Sequence, residues 1–325
     1  MPPQEIPQND AAPETLSRLS GLAGPATLVL LAIAAFVFVY AYMGNIAQVP
    51  SAETASAAAT DAFAGISLQA KSAIVVDLRT GEVLYRLNSD AQLPLASLTK
   101  AALVLAVRDA MPSDSIITIP YDTAPKGAAM RLAKGEKWKL GDVINFTLIS
   151  SSNEGADILA QAADAAIRAR YPQAPHGDAA LWRMNNLAQS LGLTHTYFLN
   201  VSGLDLSGTQ SGAYGSAEDF AELFAYAAST TPESFSGTTR DGLLLTDEDG
   251  NTTSAFNTNE ALGAIPGLIM GKTGYTDLAG GNLAVVFDVG LAHPVVAVVL
   301  GSTHDGRFAD MKRLVTAARA AVAQQ

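Results

Sequence analysis

Three short motifs in a fixed order set the strongest limit on how this chain can fold: Ser97-Leu98-Thr99-Lys100, Ser151-Ser152-Asn153 and Lys272-Thr273-Gly274. Hydroxyls, amines and an amide of this kind make a serine acyl-transfer site, but only if all three segments meet. Ser97 and Ser151 are 54 residues apart, and Ser151 and Lys272 are separated by a further 121. One domain must therefore bring distant parts of the chain to one point. Each motif alone arises by chance in 325 residues, so their joint order carries the signal.

A serine hydroxyl is a poor nucleophile until a base takes its proton. Lys100 stands one helical turn after Ser97 and on the same face. To act as that base its pKa has to fall from about 10.4 towards 7, which burial and a second cation can bring about. Lys272 is the second cation in the sequence. Without its companions, Lys100 reads as a surface lysine on an ordinary helix. Ser151 and Asn153 can offer a hydroxyl to the leaving group and an amide to the substrate backbone, although Ser and Asn before Glu154 also make a helix N-cap. Lys272-Thr273-Gly274 heads an apparent strand, where Gly274 lets a substrate backbone come close. The Ser97 N–H at a helix start, with an N–H just after Gly274, would form an oxyanion hole. A lone K-T-G is more often a turn.

The net charge of −11 argues against a nucleic-acid partner, which needs a basic face. With Cys 0, disulfides, thiolate nucleophiles and cysteine-bound zinc are excluded, and the four scattered histidines form no H-E-x-x-H pattern, so no metal or other cofactor is expected. Residues 25–43 are almost wholly apolar; as a helix they extend about 28 Å, against roughly 30 Å for a bilayer core. The run exceeds a signal-peptide h-region, and Glu5, Asp10 and Glu14 outnumber Arg18 ahead of it. The expectation is a tail at 1–20, an uncleaved transmembrane anchor at 21–46, an Ala/Ser/Thr-rich linker at 47–65 and a catalytic domain at 66–325. A single-pass protein with its domain on the extracytoplasmic side is the economical reading. The basic run Lys126, Arg131, Lys134, Lys137 and Lys139 reads as a solvated loop face.

Within the domain, Ser72–Leu78 and Gly81–Arg86 read as a hairpin. Helices are expected at Ala96–Ala110, Leu140–Ile149, Glu154–Ile167, Ala179–Leu191 and Ala217–Ala228, and β-branched strands at Ala284–Val289 and Pro294–Gly301, before a helix at Phe308–Ala321. The fold class is α/β (an α+β sandwich): an antiparallel sheet from both chain ends, flanked by helices, with a mainly helical insertion.

At these residues the chain resembles the serine D-alanyl-D-alanine carboxypeptidases, low-molecular-mass penicillin-binding proteins that share a fold with the serine β-lactamases. The likeness extends to Ala73–Tyr85, Pro94–Lys100, Phe198–Asp205 and Gly271–Gly280, and covers about residues 66–320. It implies Ser97 as the acylated nucleophile, Lys100 as its base and Ser151 as proton relay. Asn153 would bind the peptide and Lys272 would supply positive potential. Tyr275 would donate the second oxyanion N–H, and Thr273, Thr276 and Arg307 would hold the terminal carboxylate of D-alanine. Ser152 and Glu154 stand where the family favours a small residue and Asp. The implied partners are peptidoglycan stem peptides and, as covalent inhibitors, β-lactams; the implied activity is D,D-carboxypeptidase or D,D-endopeptidase. A serine β-lactamase is the enzyme alternative, although the E-x-x-L-N string used by class A enzymes for deacylation does not occur between Asn153 and Lys272. A non-catalytic wall-binding protein of the same fold is the other, and it has no need of Ser97, Lys100, Asn153 and Lys272 together.

Overall fold

The computed structural model describes residues 62–126 and 128–324. The apolar run at 25–43, the tail before it and residues 47–61 of the expected linker lie outside the described residues. Among the described residues no helix is long and apolar enough to cross a membrane.

The expected hairpin is β1 (Ser72–Asp77) and β2 (Val83–Leu87). Asp77 closes its turn by accepting the Arg79 and Thr80 N–H groups. A two-residue strand, β3 (Leu93–Pro94), runs into a 3-10 turn at Ala96–Leu98 and then α1 (Thr99–Ala110). The short strands β4 (Ile116–Thr118) and β5 (Lys137–Lys139) pair before α2 (Leu140–Ile149), α3 (Asn153–Arg170) and α4 (Ala179–Ser190). β6 (Tyr197–Phe198) and β7 (Ala213–Gly215) join β3 in a small sheet. There follow α5 (Ala217–Thr230), a 3-10 stretch at Pro232–Thr239 and the hairpin of β8 (Gly242–Thr246) with β9 (Thr252–Phe256). The chain closes with β10 (Leu268–Thr276), β11 (Gly280–Asp288), β12 (Pro294–Ser302) and α6 (Gly306–Val322).

The five-stranded sheet runs β10-β11-β12-β1-β2 and is antiparallel throughout, so both chain ends build it as expected. Strands covered on one face alternate in hydrophobicity; β11 and β12 are instead continuously apolar because both faces are covered. Val296, Val298 and Leu300 face the helical insertion, while Val295, Ala297 and Val299 face α6 through Met311, Leu314 and Ala318. Each such Val or Leu contributes roughly 1.5–3 kcal/mol by leaving water. On the other side α1 is enclosed by its neighbours: Thr99 to Val107 are all buried. A helix buried all round makes a rigid base for whatever its first turn carries.

Three expectations need correction. The domain begins before Ile66, since Phe63 is buried with its ring stacked on Tyr85 at 5.3 Å; an aromatic near an Ala/Ser/Thr-rich stretch was the missed signal. Lys272 does not head its strand but lies in its middle, because pairing with β11 already starts at Leu268. The helix after the second motif begins at Asn153, and Ser152 is its N-cap, accepting the Gly155 N–H at 2.9 Å.

Candidate active site

Two residues with left-handed backbones bring the first two motifs to the same point. Ala96 has φ +48° and Ser151 φ +58°. For an L-residue this costs on the order of 1 kcal/mol or more, and it re-aims the chain sharply. The bend at Ala96 is held by its own carbonyl, which accepts from Thr99 Oγ1 at 2.7 Å. Asn282 of β11 also holds it, donating from Nδ2 to Pro94 O at 3.0 Å. Two glycines let other segments close on this turn. Gly203, with φ +80°, leaves space that a side chain would take from Ala96 O and Thr99 Oγ1. A Cβ on Gly274 would lie 2.9 Å from Leu95 O.

Lys100 is fully buried, and Nζ donates three bonds of 2.8 Å, to Ser97 Oγ, Asn153 Oδ1 and the Ser202 carbonyl. Its pKa is lowered to about 7; burial is the cause, opposed by the negative charges of Asp157 and Glu154. Set against an ordinary lysine this is about 5 kcal/mol of preference for the neutral amine. Lys272 is equally buried and donates to Ser151 Oγ and Thr273 O, each at 2.8 Å. Its pKa also falls well below the usual range, first through burial and then through repulsion by Lys100 and Arg307. Burial is thus the leading cause for both amines, and repulsion between Lys100 and Lys272 acts on the pair.

Ser151 accepts from Lys272, so its own hydroxyl proton is free to point elsewhere. Asn153 gives its carbonyl oxygen to Lys100, which leaves the amide N–H groups for a ligand. Ser97, Ser151, Asn153, Thr273, Gly274, Tyr275, Thr276 and Arg307 all line one cleft of about 280 Å3. A larger recess of about 650 Å3 opens beside β1 and α5 and contains none of them. Chemistry rather than size singles out the smaller one.

The three side chains expected to hold a carboxylate all line the cleft but differ in the donors they have free. Thr276 Oγ1 donates its one proton to Asp205 Oδ1 at 3.0 Å and accepts the Ala279 N–H at 3.2 Å, so it has no donor left. Arg307 is buried against the cleft: Nη1 donates to Gly274 O at 2.8 Å, while Nε is buried without a partner. Thr273 Oγ1 lies 2.6 Å from Thr258 Oγ1. Tyr275 is half exposed and packs edge-on against His304, with ring centroids 4.9 Å apart. The backbone of β10, the edge strand of its sheet, leaves one side without a neighbouring strand.

Sequence reasoning missed Thr258, His304, Leu204 and the Ser202 carbonyl. The segment Phe198–Asp205 resembles the family, which is a signal for Ser202 and Leu204, but a backbone carbonyl ligand leaves no side-chain pattern to read.

The profile of the D-alanyl-D-alanine carboxypeptidases, peptidase family S11, matches residues 53–304. The chain belongs to this family. A D-alanyl-D-alanine endopeptidase of Pseudomonas aeruginosa is 30% identical over 276 residues, covering 81% of this chain and 83% of the relative. A D-alanyl-D-alanine carboxypeptidase of Bacillus subtilis is 29% identical over 256 residues; that match takes in 76% of this chain but spans only 61% of the relative. Penicillin-binding protein D2 of Listeria monocytogenes, solved with ampicillin bound, superposes with a TM-score of 0.64 at 28% identity, covering 78% of this chain and 98% of that one. The S11 fold seen in these neighbours is the one described above, with mixed helices and an antiparallel sheet.

Proposed function

We propose that the protein is a serine D,D-peptidase that cleaves the D-Ala-D-Ala end of peptidoglycan stem peptides, as a carboxypeptidase or endopeptidase, through an acyl-enzyme on Ser97. The observation that carries this reading is the buried Lys100 Nζ, 2.8 Å from Ser97 Oγ with a pKa of about 7. Neutral Lys100 takes the Ser97 proton as Oγ attacks the carbonyl carbon of the penultimate D-alanine. The oxyanion is met by the N–H of Ser97, at a helix start where N–H groups lack intrahelical partners, and by that of Tyr275. Ser151 gives its proton to the departing amine and recovers one by way of Lys272, which takes up in turn the proton that Lys100 removed from Ser97, so Lys100 is a neutral base again. The C–N bond breaks and D-alanine leaves. Lys100 then activates the water that hydrolyses the ester. Asn153 and the free edge of β10 hold the peptide backbone, while Arg307 and Thr273 hold its terminal carboxylate. A β-lactam presents the same carbonyl and carboxylate, so penicillins are expected to acylate Ser97.

A β-lactamase needs a second base for fast deacylation. None of the cleft-lining residues is Asp or Glu, which favours a long-lived penicilloyl ester. A non-catalytic scaffold leaves two buried lysines unexplained, since burying them costs stability and returns little packing. Residues 25–43 anchor the chain in the cell membrane, with the catalytic domain on the extracytoplasmic side, where peptidoglycan lies.

The test is incubation of wild type and Ser97→Ala with a fluorescent penicillin and with a peptide ending in D-Ala-D-Ala. Persistent labelling and D-alanine release, both lost in the variant, are expected. Rapid penicillin turnover would favour the β-lactamase, and an unlabelled wild type would refute both enzyme readings.

A further inference from the structure

Thr258 lies in the segment Asn257-Thr258-Asn259, which is fixed tightly for a loop. Asn257 Nδ2 donates to the Thr238 and Arg240 carbonyls at 2.9 and 2.8 Å, and its Oδ1 accepts the Asn259 N–H at 2.9 Å. Asn259 repeats the device by accepting the Ala261 N–H. The Thr258 N–H donates to Ile149 O, at the end of α2, at 3.1 Å. The Thr258 hydroxyl thus cannot wander, and it stands 2.6 Å from that of Thr273 in the wall of the cleft.

Each hydroxyl has one proton, so the pair has a polarity. The Thr258 proton has two possible acceptors: Thr273 Oγ1 at 2.6 Å and Ile149 O at 3.4 Å. The second is beyond the usual 2.5–3.0 Å range for O–H···O bonds, and Ile149 O already accepts the Thr258 N–H. The proton therefore goes to Thr273, whose own proton turns towards the cleft. Arg307, which lines the same cleft, agrees with an anion arriving there; Thr276, the other threonine of the strand end, has its proton committed to Asp205.

We propose that Thr258 is a positioning residue that orients the Thr273 hydroxyl as a donor to the substrate's terminal carboxylate, and so sets the preference for a free carboxylate over a neutral end. Thr258 donates to Thr273, Thr273 donates to the carboxylate, and each bond polarises the next. The inference rests on the D,D-peptidase reading of the cleft.

Thr258→Val keeps the shape and removes the hydroxyl. Without its fixed donor, Thr273 is free to turn its proton away. The assay compares a peptide ending in D-Ala-D-Ala with the same peptide ending in a carboxamide. The expected result is a drop of about tenfold in kcat/KM for the free acid, carried by KM and several-fold larger than the change for the amide, with Thr258→Ser restoring most of it. Equal losses on both peptides, or a loss carried by kcat, would mark Thr258 as merely structural and overturn the proposal. Unchanged kinetics would overturn it too. A wild type that neither releases D-alanine nor reacts with penicillin would instead bring down the underlying reading, and the inference with it.

Discussion

Lowering the pH from 8 to 5 should slow acylation of Ser97 about ninetyfold, because the reaction needs Lys100 as the free amine. With a pKa of about 7, roughly nine-tenths of Lys100 is neutral at pH 8 and about one-hundredth at pH 5. The sign follows from burial, which disfavours the charged form and pushes a lysine down. The rate should climb tenfold per pH unit below 6 and level off above 8. An ordinary lysine near 10.4 would still be climbing tenfold per unit between pH 8 and 9. The assay is the second-order rate of labelling by a fluorescent penicillin under single-turnover conditions, buffered from pH 5 to 9.5. His304 lines the same cleft, so the limb needs an assignment. The carboxylate of Asp157 opposes the lowering of the Lys100 pKa, and Asp157→Asn should move the limb to lower pH. A rate still rising through pH 9 would refute the claim that burial makes Lys100 the base. So would a limb indifferent to Asp157→Asn but abolished by His304→Gln.

Gly203→Ala should cut acylation at least a hundredfold, since φ +80° strains an alanine and its Cβ would displace Ala96 and Thr99 beside the nucleophile; near-wild-type labelling would contradict the close approach. Lys272→Ala should slow acylation by about a hundredfold through loss of the Ser151 contact and move the acid limb to higher pH, because repulsion between the two buried amines acts on both; an unmoved limb would leave burial alone to depress Lys100. Fractionation of cells expressing the full chain should recover it with the membrane and expose its domain to external protease, and recovery in the soluble fraction would contradict an anchor at 25–43.

Much of the site was legible because its chemistry sits on side chains in short motifs. Lys100 bonds Ser97 and Asn153, Lys272 bonds Ser151, and the two serines and the asparagine line one cleft. The sheet was legible because β11 and β12, covered on both faces, carry the apolar runs Leu283–Phe287 and Val295–Leu300. What escaped notice depends on backbone shape. Nothing in the letter Ala marks position 96 as left-handed, and the Ser202 carbonyl would be there with any side chain. Thr258 was invisible because its partner Thr273 is 15 residues away on another element. The β8–β9 hairpin could have been found, as Asp247-Glu-Asp-Gly-Asn between Leu243–Thr246 and Thr252–Phe256 is a turn signal between two strand-like runs. Thr276 lines the cleft as expected, but a motif position says nothing of where its proton is committed, and Asp205 takes it.

The central claim is tested most directly by locating the covalent bond. Protein trapped with penicillin, digested and analysed by mass spectrometry should carry one penicilloyl group on the peptide containing Ser97, and Ser97→Ala should carry none. An adduct on Ser151 or any other residue, or an unmodified wild type that still releases D-alanine, would contradict the account.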